Sequence, residues 1–149
     1  MLTIHSLMRW VALILLLVAT VQAWRGWRGQ LAWTDSSKRL GLFTMISMDI
    51  QLLIGLIVFA GSDLIKVAMA SMGEAMRNPE LRFFAVEHTA MMVVAIALVH
   101  VGYARAKRAM DDASRHKAVA IYFGLALVAV VAAIPWPFRA PIGRSLLPF

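Results

Sequence analysis

Four stretches of mostly apolar residues, at about Ile4 to Trp24, Gly41 to Gly61, Phe83 to Ala104 and Ala118 to Trp136, fill most of this 149-residue chain. A helix of about 20 apolar residues crosses roughly 30 Å of hydrocarbon. Each stretch meets that length, and the chain therefore reads as an all-α integral membrane four-helix bundle, one domain over residues 1–149. The composition agrees: 61% of residues are hydrophobic, 15% are charged, and the mean hydropathy is +0.75. A soluble globular enzyme, with about 25% charged residues, is excluded. The first stretch also fits a signal peptide with Ala23 at a small-residue cleavage point, but it is read here as the first span.

The formal charge of +7 would suggest nucleic-acid binding in a soluble domain. In a membrane bundle it reports topology, because Lys and Arg in short loops stay on the cytoplasmic side. The first loop carries Arg25, Arg28, Lys38 and Arg39, and the third carries Arg105, Lys107, Arg108, Arg115 and Lys117. The second has Lys66, Arg77 and Arg82 balanced by Asp63, Glu74 and Glu80. Loops one and three are thus placed inside, and the second loop and both termini outside a bacterial inner membrane.

Within the second loop, Leu64, Ile65, Ala68, Met69, Met72 and Met76 recur at helical spacing behind Ser62, a candidate N-cap. This predicts a short amphipathic helix at the outer interface between spans two and three. Asn78 is expected to cap span three, with Pro79 in its first turn. Trp24, Trp27 and Trp33 fit an inner aromatic belt and Trp136 an outer one.

The chain has no cysteine, so disulfides, iron–sulfur clusters and thioether-attached haem are excluded. No Gly-rich phosphate loop or Ser/His/Asp arrangement is present. What remains for chemistry is the set of polar residues inside the spans, each costing about 2.5–3.5 kcal/mol on insertion scales when ionised. These are His5 and Arg9 in span one, Asp49 and Gln51 in span two, and Glu87, His88 and His100 in span three.

Arg9 and Glu87 fall at similar depth, which predicts an ion pair between spans one and three. His5 shares a helix face with Arg9 by i,i+4 spacing, and His88 adjoins Glu87. With Arg139 behind the PWPF stop, these residues form an outer cluster of two imidazoles, two guanidiniums and a carboxylate. Facing imidazoles are what six-coordinate haem b requires, and nearby arginines match its propionates. His5, His88 and Glu87 would alternatively suit a metal ion or proton handling. His100 lies twelve residues beyond His88, on another face; an Asp49–His100 hydrogen bond, or an inner proton or quinone site, is the expectation there. His116, in a charged loop, is expected to be solvated. The methionines Met45, Met48, Met91 and Met92 read as packing rather than as thioether ligands.

HSLMRW (His5–Trp10), QLLIGL (Gln51–Leu56), EHTAMM (Glu87–Met92), HVGYARAK (His100–Lys107) and PWPFR (Pro135–Arg139) together resemble a family of small four-span bacterial membrane proteins labelled cytochrome b-like, of the Bacteroidetes type. The resemblance covers nearly the whole chain. It implies His5, His88 and His100 as candidate ligands, haem b as cofactor and electron transfer as activity, with quinone as a possible redox partner. Just ahead of QLLIGL, where some members carry a histidine, this chain has Asp49. A second reading is a cofactor-free accessory subunit of a respiratory or photosynthetic complex, with the polar residues serving as interhelical glue.

Overall fold

The structure is a computed structural model that describes residues 1–147; residues 148 and 149 lie outside the described part of the chain. Among the described residues it is all-helical. Helices α1 (Leu2–Arg28), α2 (Asp35–Gly61), α3 (Asp63–Ala70), α4 (Met72–Ala75), α5 (Pro79–Arg82), α6 (His88–Arg108) and α7 (Asp112–Ala133) follow in order. A π-helical turn, Phe83–Glu87, fuses α5 to α6. Four helical units of 27, 27, 30 and 22 residues, the third running from Pro79 to Arg108, are long and apolar enough to cross a membrane.

These helices overrun the apolar stretches. Arg25 and Arg28 lie in the last turn of α1, and Lys38 and Arg39 in the first turns of α2, because caps rather than hydropathy decide where a helix stops. Gln30, at φ 50°, turns the chain after α1. The Thr34 hydroxyl then accepts from Ser37 N at 3.3 Å to start α2. Asp111 starts α7 by accepting from Ser114 N at 2.8 Å. Asn78 accepts from Glu80 N and Leu81 N, with Pro79 in the first turn of α5, so the third unit starts four residues before the apolar run does.

α7 is the centre of the bundle and packs along both α1 and α6, while α2 lies against α1 and meets α6 only lightly. The core is accordingly built on Phe123 and Ala126 of α7, Leu16 of α1, and Ala95 and Val99 of α6, all without exposed surface. Small residues set the close approaches. A Cβ at Gly102 would lie 2.6 Å from that of Tyr122. The one fully buried hydroxyl of α2, Thr44, donates within its own helix to Leu40 O at 2.8 Å.

Two expectations are corrected. The amphipathic segment is not one helix: Ser71, at φ −146° and ψ 85°, breaks it into α3 and α4. Ile65, Ala68 and Ala75 turn inward, while Val67, Met69, Met72 and Met76 are exposed. His116 is not solvated. It is 2% exposed, its Nε2 donates to the Ala32 carbonyl at 3.3 Å, and its ring stands edge-on to Trp33 at 4.9 Å. Gly26 makes the room, since a Cβ there would sit 2.3 Å from His116 Cε1. The imidazole thus pins the α1–α2 turn onto α7.

Candidate functional site

The bundle is staggered at the end where the chain starts. His5 is in the first turns of α1, whereas Gln51 lies about 15 Å below the end of α2 and His88 about 13 Å below Pro79, at 1.5 Å per residue. The three side chains nevertheless meet. The level of α1 is therefore recessed beneath α2 and the α5–α6 unit, and the segment after α7 folds over it. Arg9 Nη2 and Trp10 Nε1 both donate to the Leu146 carbonyl, at 2.6 and 3.0 Å.

At the centre of this recess the rings of His5 and His88 face each other edge to face, with centroids 6.4 Å apart and planes at 75°. His88 is fixed from behind. Its Nδ1 donates to the Ala133 carbonyl at 2.9 Å, one of the carbonyls left free where α7 ends at Ile134, and this turns Nε2 away from α7. Such a hydrogen bond to the far nitrogen is how proteins orient a metal-ligating imidazole.

The π-helical turn ends at the residue before His88. Its extra residue shifts the register, so His88 N bonds to Phe83 O and the Thr89 hydroxyl donates to Phe84 O at 3.3 Å. π-turns inside α-helices are frequent at functional sites. Here the turn also brings Phe83 and Phe84 beside the His88 ring, with centroids 5.9 and 6.5 Å away.

His5 is held by Gln51, whose Nε2 donates to the His5 carbonyl at 3.0 Å and lies 3.2 Å from ring Nδ1. Gly55 lets the ring in, since a Cβ there would come within 3.1 Å of His5 Cε1. Two polar atoms of the recess, Gln51 Oε1 and Arg9 Nε, are buried without partners among the described residues. Gln51 stood out in the sequence as an intramembrane polar residue, but counting from helix ends could not pair it with His5 across the stagger.

The expected Arg9–Glu87 ion pair is not formed. Glu87 pairs with Arg82 Nε at 2.6 Å, within its own helical unit, and Arg9 turns up to Leu146. The depths match only if span three starts at Phe83; with the start at Pro79, Arg82 is a nearer partner. Arg139 donates to the Ala132 and Ile134 carbonyls at 2.7 and 3.2 Å and covers the Phe83 ring. Arg144, which was not singled out in the sequence, covers Phe84 and pairs with Glu80. Arg9, Arg139 and Arg144 thus rim the histidine recess.

His100 is not part of this cluster. Its Nε2 lies 3.4 Å from Asp49 Oδ2, across the light contact between α2 and α6. The expected partners are therefore adjacent, though at a distance longer than a good N–H···O bond. Among the described residues no group of three or more His, Asp and Glu side chains is placed to hold a metal ion, so the structure does not assemble His5, His88 and Glu87 as a three-ligand metal site. Two open clefts of about 310 and 380 Å³ lie at the opposite, basic end, beside Lys38, Lys107 and Arg115 and beside Arg105, Arg108 and Lys117.

No family model matches this sequence, and no curated protein or solved structure matches it either.

Proposed function

We propose that the chain is a multi-pass membrane protein that binds haem b between His5 and His88 and passes electrons through it. The observation that carries this reading is the pair of imidazoles presented to each other from α1 and α6, with the His88 ring locked by Ala133. A metal ion between two imidazole nitrogens at about 2 Å each sets their ring centroids roughly 6 Å apart; the 6.4 Å observed matches that spacing, and from the edge-to-face pose ligation requires one ring to turn its nitrogen toward the other.

Other residues around the two rings support the same reading. Gln51 Nε2, which donates to the His5 carbonyl and lies 3.2 and 3.4 Å from the two ring nitrogens, holds the His5 ring in place from the side of α2. Arg9, with its unpartnered buried Nε, and Arg139 suit propionate carboxylates. Phe83 and Phe84 supply the apolar wall. Bound there, haem would supply a one-electron couple, and the protein would set ligation, hydrogen bonding and low dielectric around it.

The charge distribution supports an orientation. Nine of the fifteen Lys and Arg residues lie at the α1–α2 and α6–α7 turns against three acids, and six lie at the histidine end against four. The excess of positive charge favours the first end as cytoplasmic, with the recess facing outward from a bacterial inner membrane. Haem content of the purified protein, quantified as pyridine haemochrome in the parent and in His88→Ala, tests the reading. Stoichiometric haem lost in the variant supports it, and a haem-free parent refutes it.

A further inference from the structure

Asp49 lies midway along α2, and it and His100 face outward: their side chains retain 41% and 45% of their exposure. Around them on the same faces are only aliphatic groups, with Ile46, Leu53, Val93 and Val101 all exposed. Left against lipid, an ionisable pair at this depth is costly. It is also incompletely satisfied. His100 Nδ1 is taken by the Ile96 carbonyl at 3.0 Å, Nε2 stands a loose 3.4 Å from Asp49, and the second Asp49 oxygen has no partner among the described residues.

We infer that this face joins two copies of the chain side by side in the membrane, Asp49 and His100 of each meeting His100 and Asp49 of the other. The occupant follows from symmetry. A twofold axis along the bilayer normal leaves depth unchanged, so the Asp49 carboxyl and His100 Nε2, adjacent at one depth and able to share one proton, meet in the second copy the same two groups in reversed order. Ala97 and Ala104, three residues before and four after His100, let a second backbone come close, and small residues beside a polar contact are how membrane helices associate. The outward face of α7, with Leu125, Val128 and Val131 exposed, offers no polar group and is left to lipid. The inference rests on membrane insertion and not on haem.

Because the chain has no cysteine, the full-length protein can be tested with single cysteines in carbonate-resistant membranes, which establishes insertion separately. Leu53→Cys, on the proposed face, is expected to give a cross-linked dimer on mild oxidation, and Val128→Cys, on α7, is not. Adding Asp49→Asn with His100→Ala to Leu53→Cys lowers the dimer yield about three- to tenfold, the range that polar contacts between membrane helices carry. Ala97→Phe, which adds bulk at an exposed position and leaves both polar groups in place, lowers the same yield. Equal yields from Leu53→Cys and Val128→Cys, no dimer from Leu53→Cys, a cross-link only to a different polypeptide, or indifference to both sets of substitutions overturns the proposal.

Discussion

The His88 imidazole donates from Nδ1 to the carbonyl of Ala133 at 2.9 Å, so a carbonyl released by the end of α7 aims a histidine of α6 at a histidine of α1. Three helices thereby converge on one pair of rings. The α6–α7 and α1–α7 contacts that hold this geometry are also the most extensive in the bundle.

The seat of His5 depends on the absence of a side chain at Gly55. A Cβ there would approach His5 Cε1 to 3.1 Å, so Gly55→Ala requires a shift of a few tenths of an ångström and Gly55→Leu displaces the ring. Gly55→Leu is expected to abolish haem retention while leaving helix content unchanged, measured by haemochrome assay and circular dichroism on the same sample. Retention of full haem by Gly55→Leu would remove His5 from the ligand set.

At the other end, His116 is held between Gly26 and Trp33. Overpacking a tight site costs about 1–3 kcal/mol, and Gly26→Ala, whose Cβ would overlap the imidazole at 2.3 Å, is expected to fall in that range. His116→Ala should destabilise by about 2–4 kcal/mol through loss of a buried ring. Both are read as lower thermal midpoints in detergent, and neither variant should alter the histidine recess.

What the sequence made legible follows from which forces act locally. Hydropathy located all four long helices, and matching depth paired Asp49 with His100, because both sit deep within their helices, where small errors in the ends matter little. It misled at Arg9 and Glu87, which lie near helix ends: the true start at Pro79 was signalled by Asn78 and Pro79, but the extra residue of the π-helical turn was not signalled at all. His116 was misread because a charged neighbourhood, with Arg115 and Lys117 on either side, says nothing about which way the intervening side chain points. Ser71 breaks α3 from α4 within an apolar pattern that continues at helical spacing, so periodicity alone could not find it.

Asp111 carries a pH dependence that can be isolated. Hydrogen bonds from the Ser114 side chain and backbone N–H hold its carboxyl below the ordinary value of 3.8. A folded-state value below the unfolded one means that the contribution is fully present above the unfolded value and is lost as the pH falls through the folded one. The α7 cap therefore weakens only in the acid range below about 4. Asp111→Asn keeps the capping geometry and should remove this part of the acid-side decline in thermal midpoint. A decline identical to that of the parent would show that Asp111 does not contribute to it.

The orientation inferred from charge is tested by Ser71→Cys, in the break between α3 and α4, and Ser114→Cys, in the first turn of α7. Both serines are exposed. In intact cells a membrane-impermeant maleimide should label the first at least about tenfold more than the second, since a charged reagent cannot cross the hydrocarbon core. Labelling of Ser114→Cys from outside would reverse the topology.

Haem ligation by His5 and His88 is tested by a reduced-minus-oxidised visible spectrum of the protein isolated gently from its native membrane, together with His88→Ala and His100→Ala. A sharp b-type α-band is expected in the parent, lost in His88→Ala and kept in His100→Ala, because only His88 faces His5 across the recess. A parent protein with no haem band, or a band that survives His88→Ala, would contradict it.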